Sequence, residues 1–162
     1  MKPIAAGEPC PLCNQPLAAR RLASIAGDEG ELRITLRGIP VLQCPVDHTY
    51  FTKRRFPVWL HTRLIEVDAP SLAAGVASGL LFKRYACVSC GKRLATGSGG
   101  GRRDFGFELA FDEQPFRMEL SMPVCVCTGC GTEQARSGEE LRNLAPSALV
   151  HAFKGAGIKA PG

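Results

Sequence analysis

Eight cysteines fall into two sets, and their spacing is where chemistry would reside. Cys10-Pro11-Leu12-Cys13 is followed about thirty residues later by Cys44-Pro45-Val46-Asp47-His48, and Cys87-Val88-Ser89-Cys90-Gly91 by Cys127-Thr128-Gly129-Cys130-Gly131. Two cysteines separated by two residues sit on one tight turn that aims both sulfurs at a point. A second pair of ligand-type residues completes a tetrahedron, the coordination that zinc takes. The pattern predicts two closed sites and two zinc ions per chain, one held by Cys10, Cys13, Cys44 and His48, the other by Cys87, Cys90, Cys127 and Cys130. Thioredoxin-like redox chemistry would place a C-x-x-C pair at the start of a helix, and no helical apolar pattern follows either pair. Iron stays open for the four-cysteine site, because rubredoxin-type knuckles also read C-x-x-C-G; ligand softness and geometry favour zinc.

Self-comparison sorts the ligands from the bystanders. Pro40-Val41-Leu42-Gln43-Cys44 aligns without a gap on Pro123-Val124-Cys125-Val126-Cys127, and Ala69-Pro70-Ser71 and Ala145-Pro146-Ser147 each open an apolar segment. Offsets of 77, 83 and 76 residues fit a repeat with an insertion between the knuckles of the second copy, giving units 1–83 and 84–162. Cys125 falls opposite Leu42 and reads as a small buried hydrophobe rather than a ligand. Asp47 stands three residues after Cys44, where Cys130 stands after Cys127, and His48 comes one residue later. Histidine is the commoner partner of three cysteines, which assigns His48; a site of three cysteines and Asp47 stays the alternative.

The elements that must position these residues follow from apolar periodicity. Leu32, Ile34 and Leu36 alternate with polar residues after the turn signal Gly27-Asp28-Glu29-Gly30. Phe105, Phe107, Leu109 and Phe111 alternate before Asp112-Glu113-Gln114-Pro115, and Phe116, Met118, Leu120 and Met122 after it. Each copy thus predicts a β-hairpin leading into its second knuckle. Candidate helices follow at 70–82 and 146–155, each with proline in its first turn. Ser71, Gly75 and Gly79 would form a row of small residues on the first, which predicts close approach of another helix, within the chain or across an oligomer.

Knuckle, antiparallel strands, knuckle is the arrangement that resembles the zinc-ribbon superfamily, over roughly 10–52 and 85–133. The knuckles also look like the zinc-binding half of certain bacterial antitoxins, in which a short hairpin ends in a Pro-Val-x-x-Cys type strand. Those antitoxins carry a helix-turn-helix DNA-binding half, which has no counterpart here, so their role does not carry over. The resemblance implies an α+β chain of two zinc-ribbon hairpin modules, each followed by a short helix and related by internal duplication.

Charge narrows the partners. The chain has 20 basic and 15 acidic residues, a formal +5. Thiolate-bound zinc in both sites would bring this to about +2, which is little for a nucleic-acid binder. Basic residues nevertheless cluster at Lys53-Arg54-Arg55, Lys83-Arg84, Lys92-Arg93 and Arg102-Arg103. The glycine-rich loop 97–101 lacks the lysine-serine or lysine-threonine ending of a phosphate-binding loop. The longest apolar stretch, Leu72 to Phe82, has eleven residues, too few to span a bilayer. Read as a helix it also lacks a lysine or arginine stripe on its polar side, so no membrane role is expected. The first residues lack the apolar run of a secretory signal, which points to the cytoplasm. His61 and His151 have no cysteine neighbours, and neither a nucleophile with its base nor an open metal position can be singled out. The expectation is a non-catalytic structural zinc protein serving as a protein-interaction adaptor. Nucleic-acid binding through Lys53, Arg54, Arg55, Arg102 and Arg103 is the alternative.

Overall fold

Buried Leu32, Ile34 and Leu36 alternate with polar residues on one strand, and Phe116, Met118, Leu120 and Met122 do so on another. In the computed structural model, which describes residues 4–68, 72–95 and 101–159, these strands pair with each other. The first is β3 (Leu32–Arg37) and the second β9 (Gln114–Val126), with Ile34 opposite Leu120 and Leu36 opposite Met118. β3 also pairs with β2 (Ile25–Glu29), and β9 with β8 (Arg102–Phe111). The two hairpins predicted from alternation are therefore present, joined within one five-stranded sheet that also takes β10 (Glu133–Ala135).

Both turns are tighter than expected. Gly27 to Glu29 belong to β2, and the first turn is Gly30-Glu31, with Gly30 at φ 55°. Gln114 and Pro115 open β9, leaving Asp112 and Glu113 as a two-residue turn with φ of 47° and 64°. Positive φ at both positions matches the strand twist, as in primed hairpin turns.

The first hairpin is longer than its apolar core. β1 (Ala18–Leu22) pairs with β4 (Ile39–Gln43) in register with β2 and β3, since Leu22 faces Ile39 just as Ile25 faces Leu36. The ladder breaks at Gly38, whose φ is 73° and whose N–H donates to the Leu22 carbonyl at 2.8 Å. Beyond the break, β4 pairs with β5 (Thr49–Phe51), and β5 with the parallel strand β11 (Ile158–Lys159) near the C-terminus. Residues from 1–83 and from 84–162 thus share both larger sheets.

The helices differ from expectation. The segment 72–82 forms no helix: Val76–Ser78 is strand β6, paired with β7 (Arg84–Ala86). Two glycines make a helix there costly, and tertiary space decides the matter. Gly75 bonds Ala135 O at 2.8 Å, and a Cβ on it would run into the Arg136 carbonyl. Residues 69–71, where that helix was to begin, lie outside the described residues, as does 96–100 of the glycine-rich loop. The helix that does follow the first knuckles is α1 (Phe56–Thr62), continued by a π-helical turn, Arg63–Asp68. Phe56, Leu60 and Leu64, spaced by four, are fully buried.

The second helix, α2, spans Gly138–Gly155 rather than 146–155, and Pro146 lies inside it instead of in its first turn. Ser137 caps it, Oγ accepting the Glu140 N–H at 3.2 Å, and Glu139 and Glu140 complement the positive helix start. Leu141, Ala145, Ala148, Leu149 and Ala152 form the buried stripe that holds the helix together across the proline.

One core includes residues from β2, β3, β4, β8, β9, α1 and α2, with Phe56 in contact with five other aromatic rings. Two small satellite clusters lie apart from it, one around Cys10 and Cys44, the other around Cys87 and Cys127. The architecture is α+β, mostly strands with two helices. No helix among the described residues is long and apolar enough to cross a membrane.

Candidate metal centres

Three of the four knuckles share one hydrogen-bond pattern. The N–H of Cys10 donates to Gln15 O, that of Cys87 to Lys92 O and that of Cys127 to Thr132 O, at 2.8, 2.8 and 2.9 Å. The N–H of the fourth residue after each cysteine's own position returns to that cysteine's carbonyl: Asn14, Gly91 and Gly131, with φ of 60°, 73° and 75°. This left-handed residue closes the loop, so glycine or asparagine stands there. Inside the loop, the N–H groups of Ser89 and Gly129 point at the sulfurs of Cys87 and Cys127, at 3.4 and 3.3 Å.

The fourth knuckle is one residue shorter. Asp47 N–H donates to Cys44 O at 3.0 Å, Cys44 N–H to His48 O at 3.2 Å, and Asp47 takes the left-handed position with φ 63°. Asp47 is therefore the closing residue and is exposed, and His48 follows it toward the sulfurs. Shortening moves the fourth ligand-type residue past the turn, where the longer imidazole reaches back.

The structure brings all eight sequence-predicted residues together in two groups: Cys10, Cys13, Cys44 and His48, and Cys87, Cys90, Cys127 and Cys130. Within each group the ligand atoms lie within 4.8 Å of one another. His48 Nδ1 is 3.5 Å from the sulfurs of both Cys10 and Cys44, and Cys13 Sγ is 3.5 Å from Cys44 Sγ. In the second group Cys87 Sγ lies 3.6 Å from Cys130 Sγ, and Cys90 Sγ 3.6 Å from Cys127 Sγ. Metal bonds of about 2.3 Å to sulfur and about 2.0 Å to imidazole nitrogen give tetrahedral edges of roughly 3.8 Å and 3.5 Å. The donor atoms already stand near those spacings, so both groups could hold a metal ion with tetrahedral coordination.

Two neighbours escaped sequence reasoning. Gln134, 1% exposed, accepts the Val88 N–H at 2.9 Å through Oε1 and turns Nε2 to Cys87 Sγ at 3.1 Å. Tyr50, also buried, places its hydroxyl 3.5 Å from Cys10 Sγ. The two occupy matching places: Gln134 pairs with Cys125 on the strand ahead of Cys127, and Tyr50 with Leu42 on the strand ahead of Cys44. The alignment of Leu42 with Cys125 held the signal, because the strand after each knuckle must return across from that position.

Electrostatics separates the thiols. The Gln134 amide, with the N–H groups of Cys90 and Ser89, outweighs burial and brings Cys87 down to about 6. Burial pushes Cys10 up, but the Tyr50 hydroxyl and the N–H groups of Leu12 and Cys13 overcome it, again to about 6. Cys90 goes up to about 11: the Lys92 N–H favours its thiolate, and the neighbouring sulfurs and burial oppose it more strongly. Tyr50 is pushed up to about 12 by burial and by its bond to Cys10, which keeps its hydroxyl a donor. Crowded sulfurs repel one another's charge, and a divalent cation among them would remove that conflict.

Cys125 stands apart from both groups. It is buried, and its thiol bonds the Gln134 carbonyl at 3.4 Å; burial raises its pKa. Of the remaining sequence candidates, Lys53 pairs with Asp112 at 2.6 Å and Arg55 with the same carboxylate. Arg103 pairs with Glu133, and Arg102 donates to the carbonyls of Glu31 and Ser121 at 2.9 and 3.1 Å. Arg54 is exposed and has no side-chain partner among the described residues. Asp112 and Arg102 mark opposite ends of the β8–β9 hairpin, whose ten-residue strand β8 is roughly 30 Å long.

No protein-family model matches the chain, and no curated protein or solved structure matches it.

Proposed function

We propose that the chain is a non-catalytic protein built on two structural zinc sites, and that it serves as a protein-interaction adaptor. The observation that carries this reading is the convergence of eight ligand-type side chains among the described residues into two sets of four. A zinc ion held by four protein ligands has no open position for water or substrate, which is the arrangement of structural rather than catalytic zinc. Thiolate-rich donor sets suit zinc, and its stability without redox change suits a reducing compartment such as the cytoplasm.

The zinc-ribbon duplication is part of the same proposal. Each half carries a hairpin, a knuckle and a return strand, with Leu42 opposite Tyr50 in one and Cys125 opposite Gln134 in the other. The matching knuckle hydrogen bonds support it further. Nucleic-acid binding through Lys53, Arg54, Arg55, Arg102 and Arg103 has less support. Carboxylates or carbonyls engage all of these but Arg54, and the two clusters are separated by the length of β8. Elemental analysis of the purified protein tests the reading. Two zinc per chain is expected; one metal per chain, or iron in the second site, would overturn it.

A further inference from the structure

The β6–β7 hairpin projects the loop 79–83, on which Leu80, Leu81 and Phe82 are 103, 90 and 83% exposed. Single exposed apolar residues are ordinary, but three consecutive large ones exposed to this degree mark a contact surface. The loop is a formed turn: Gly79, at φ 97°, lets the chain fold back against the Phe82 carbonyl.

Charge around this tip has one sign. From 69 to 103 the sequence contains no Asp or Glu, whereas Lys83 and Arg84 follow the tip directly and Lys92 and Arg93 flank the next knuckle. A bridge between Ala86 and Arg93 lays the second pair beside the base of β7. All four side chains are exposed, and none has an ion pair or a side-chain hydrogen bond among the described residues. Four thiolates around a divalent ion would contribute about −2 nearby, which these four bases exceed.

We propose that the β6–β7 tip docks on an anionic membrane surface. Leu80, Leu81 and Phe82 enter the boundary between headgroups and acyl chains, and Lys83, Arg84, Lys92 and Arg93 lie against lipid phosphates. Three consecutive exposed apolar side chains at a hairpin turn, with exposed bases beside them, suit a fluid apolar layer under anionic headgroups better than a shaped protein cleft. Apolar insertion and basic contacts are two signals, each weak alone, that together give reversible attachment. The sequence expectation of no membrane role assumed a helix with its bases off the polar face; the hairpin instead sets Lys83 and Arg84 directly beside the apolar tip, with Lys92 and Arg93 one short strand away at its base.

Co-sedimentation of the metal-loaded, full-length protein tests this. The probes are vesicles of phosphatidylcholine alone, and vesicles with about one third phosphatidylserine. Binding to the anionic vesicles is expected, at least about tenfold weaker on the neutral ones and weakened several-fold between about 0.1 and 0.5 M salt. Replacing Leu80, Leu81 and Phe82 together by Ser should lower partition at least about tenfold while zinc content and circular dichroism stay unchanged, because the side chains are almost wholly exposed. Lys83→Glu with Arg84→Glu should do the same. No binding of the intact protein to anionic vesicles, equal binding by the tip variant, or capture of the tip by a soluble protein without vesicle binding would overturn the proposal. None of these outcomes touches the metal stoichiometry, so the zinc reading and the membrane reading fail separately.

Discussion

Gln134 is the buried neighbour that reaches into the second candidate metal site. Val88 presents a backbone N–H that only the amide oxygen can meet, so the amide nitrogen must face Cys87 Sγ. That donor holds the sulfur in its charged, metal-ready form. Gln134→Ala should weaken metal binding at the second site by about tenfold to a hundredfold and leave the first unchanged, as read by competition with a chromogenic chelator. Tyr50→Phe should produce the mirror result, with a smaller loss because its contact to Cys10 is longer. The same assay separates the cysteines. Cys125→Ser should keep two metals per chain, since its thiol serves the Gln134 carbonyl and lies outside the four-ligand group, whereas Cys127→Ser should retain one. Equal loss in both would make Cys125 a ligand.

At the scale of elements, one glycine sets how closely β2 and α2 approach. Gly27 lies so near α2 that a Cβ would collide with the backbone of Ala148 and Ala152, atoms that cannot rotate away. Its conformation is ordinary, so the demand is for space alone. Gly27→Ala should cost about 2–3 kcal/mol, the scale of overpacking in a tight core, and show as a lower urea midpoint with an unchanged slope. No reading of Gly27 as a turn signal anticipates this, because the requirement belongs to a helix more than a hundred residues away. The strands β3, β8 and β9 were legible, since a half-buried strand writes its two faces into alternate residues. The C-x-x-C spacing was legible for the same reason, as a local turn is encoded locally. Helix α1 was present in Phe56, Leu60 and Leu64 but spans only seven residues. Helix α2 was misplaced because Pro146 looks like a first-turn residue, while the capping Ser137 lies nine residues earlier. The segment 72–82 has an apolar row at helical spacing, yet the carbonyls of Ala135 and Arg136 leave Gly75 room only as extended chain.

For the whole molecule, the question is what the metals hold up. Two candidate four-ligand groups, one in each half of the sequence, would on their own let each half fold around its own ion. The packing points elsewhere. Ile34 and Leu36 of the first half lie opposite Leu120 and Met118 of the second, α2 closes over β2, and β11 adds to the edge of β5. The main core is thus made jointly, while the buried candidate ligands Cys10, Cys44, Cys87 and Cys127 belong to two satellite clusters outside it. Stripping both metals should therefore loosen the knuckles and leave the central sheet and α2 standing. Hydrogen exchange with and without a strong chelator reads this directly. Protection is expected to fall at 8–17, 44–50, 85–94 and 124–135, and to persist through β2, β3, β8 and α2. The far-UV signal of the helices should change little, and the stripped protein should still unfold in one cooperative transition at a lower temperature. Uniform loss of protection would mean that the metals, rather than the shared apolar core, carry the fold. Fragments 1–83 and 84–162 provide the complementary test: each leaves half of that core exposed, so neither should fold when metal is supplied, and mixing them should restore exchange protection in β3 and β9 together.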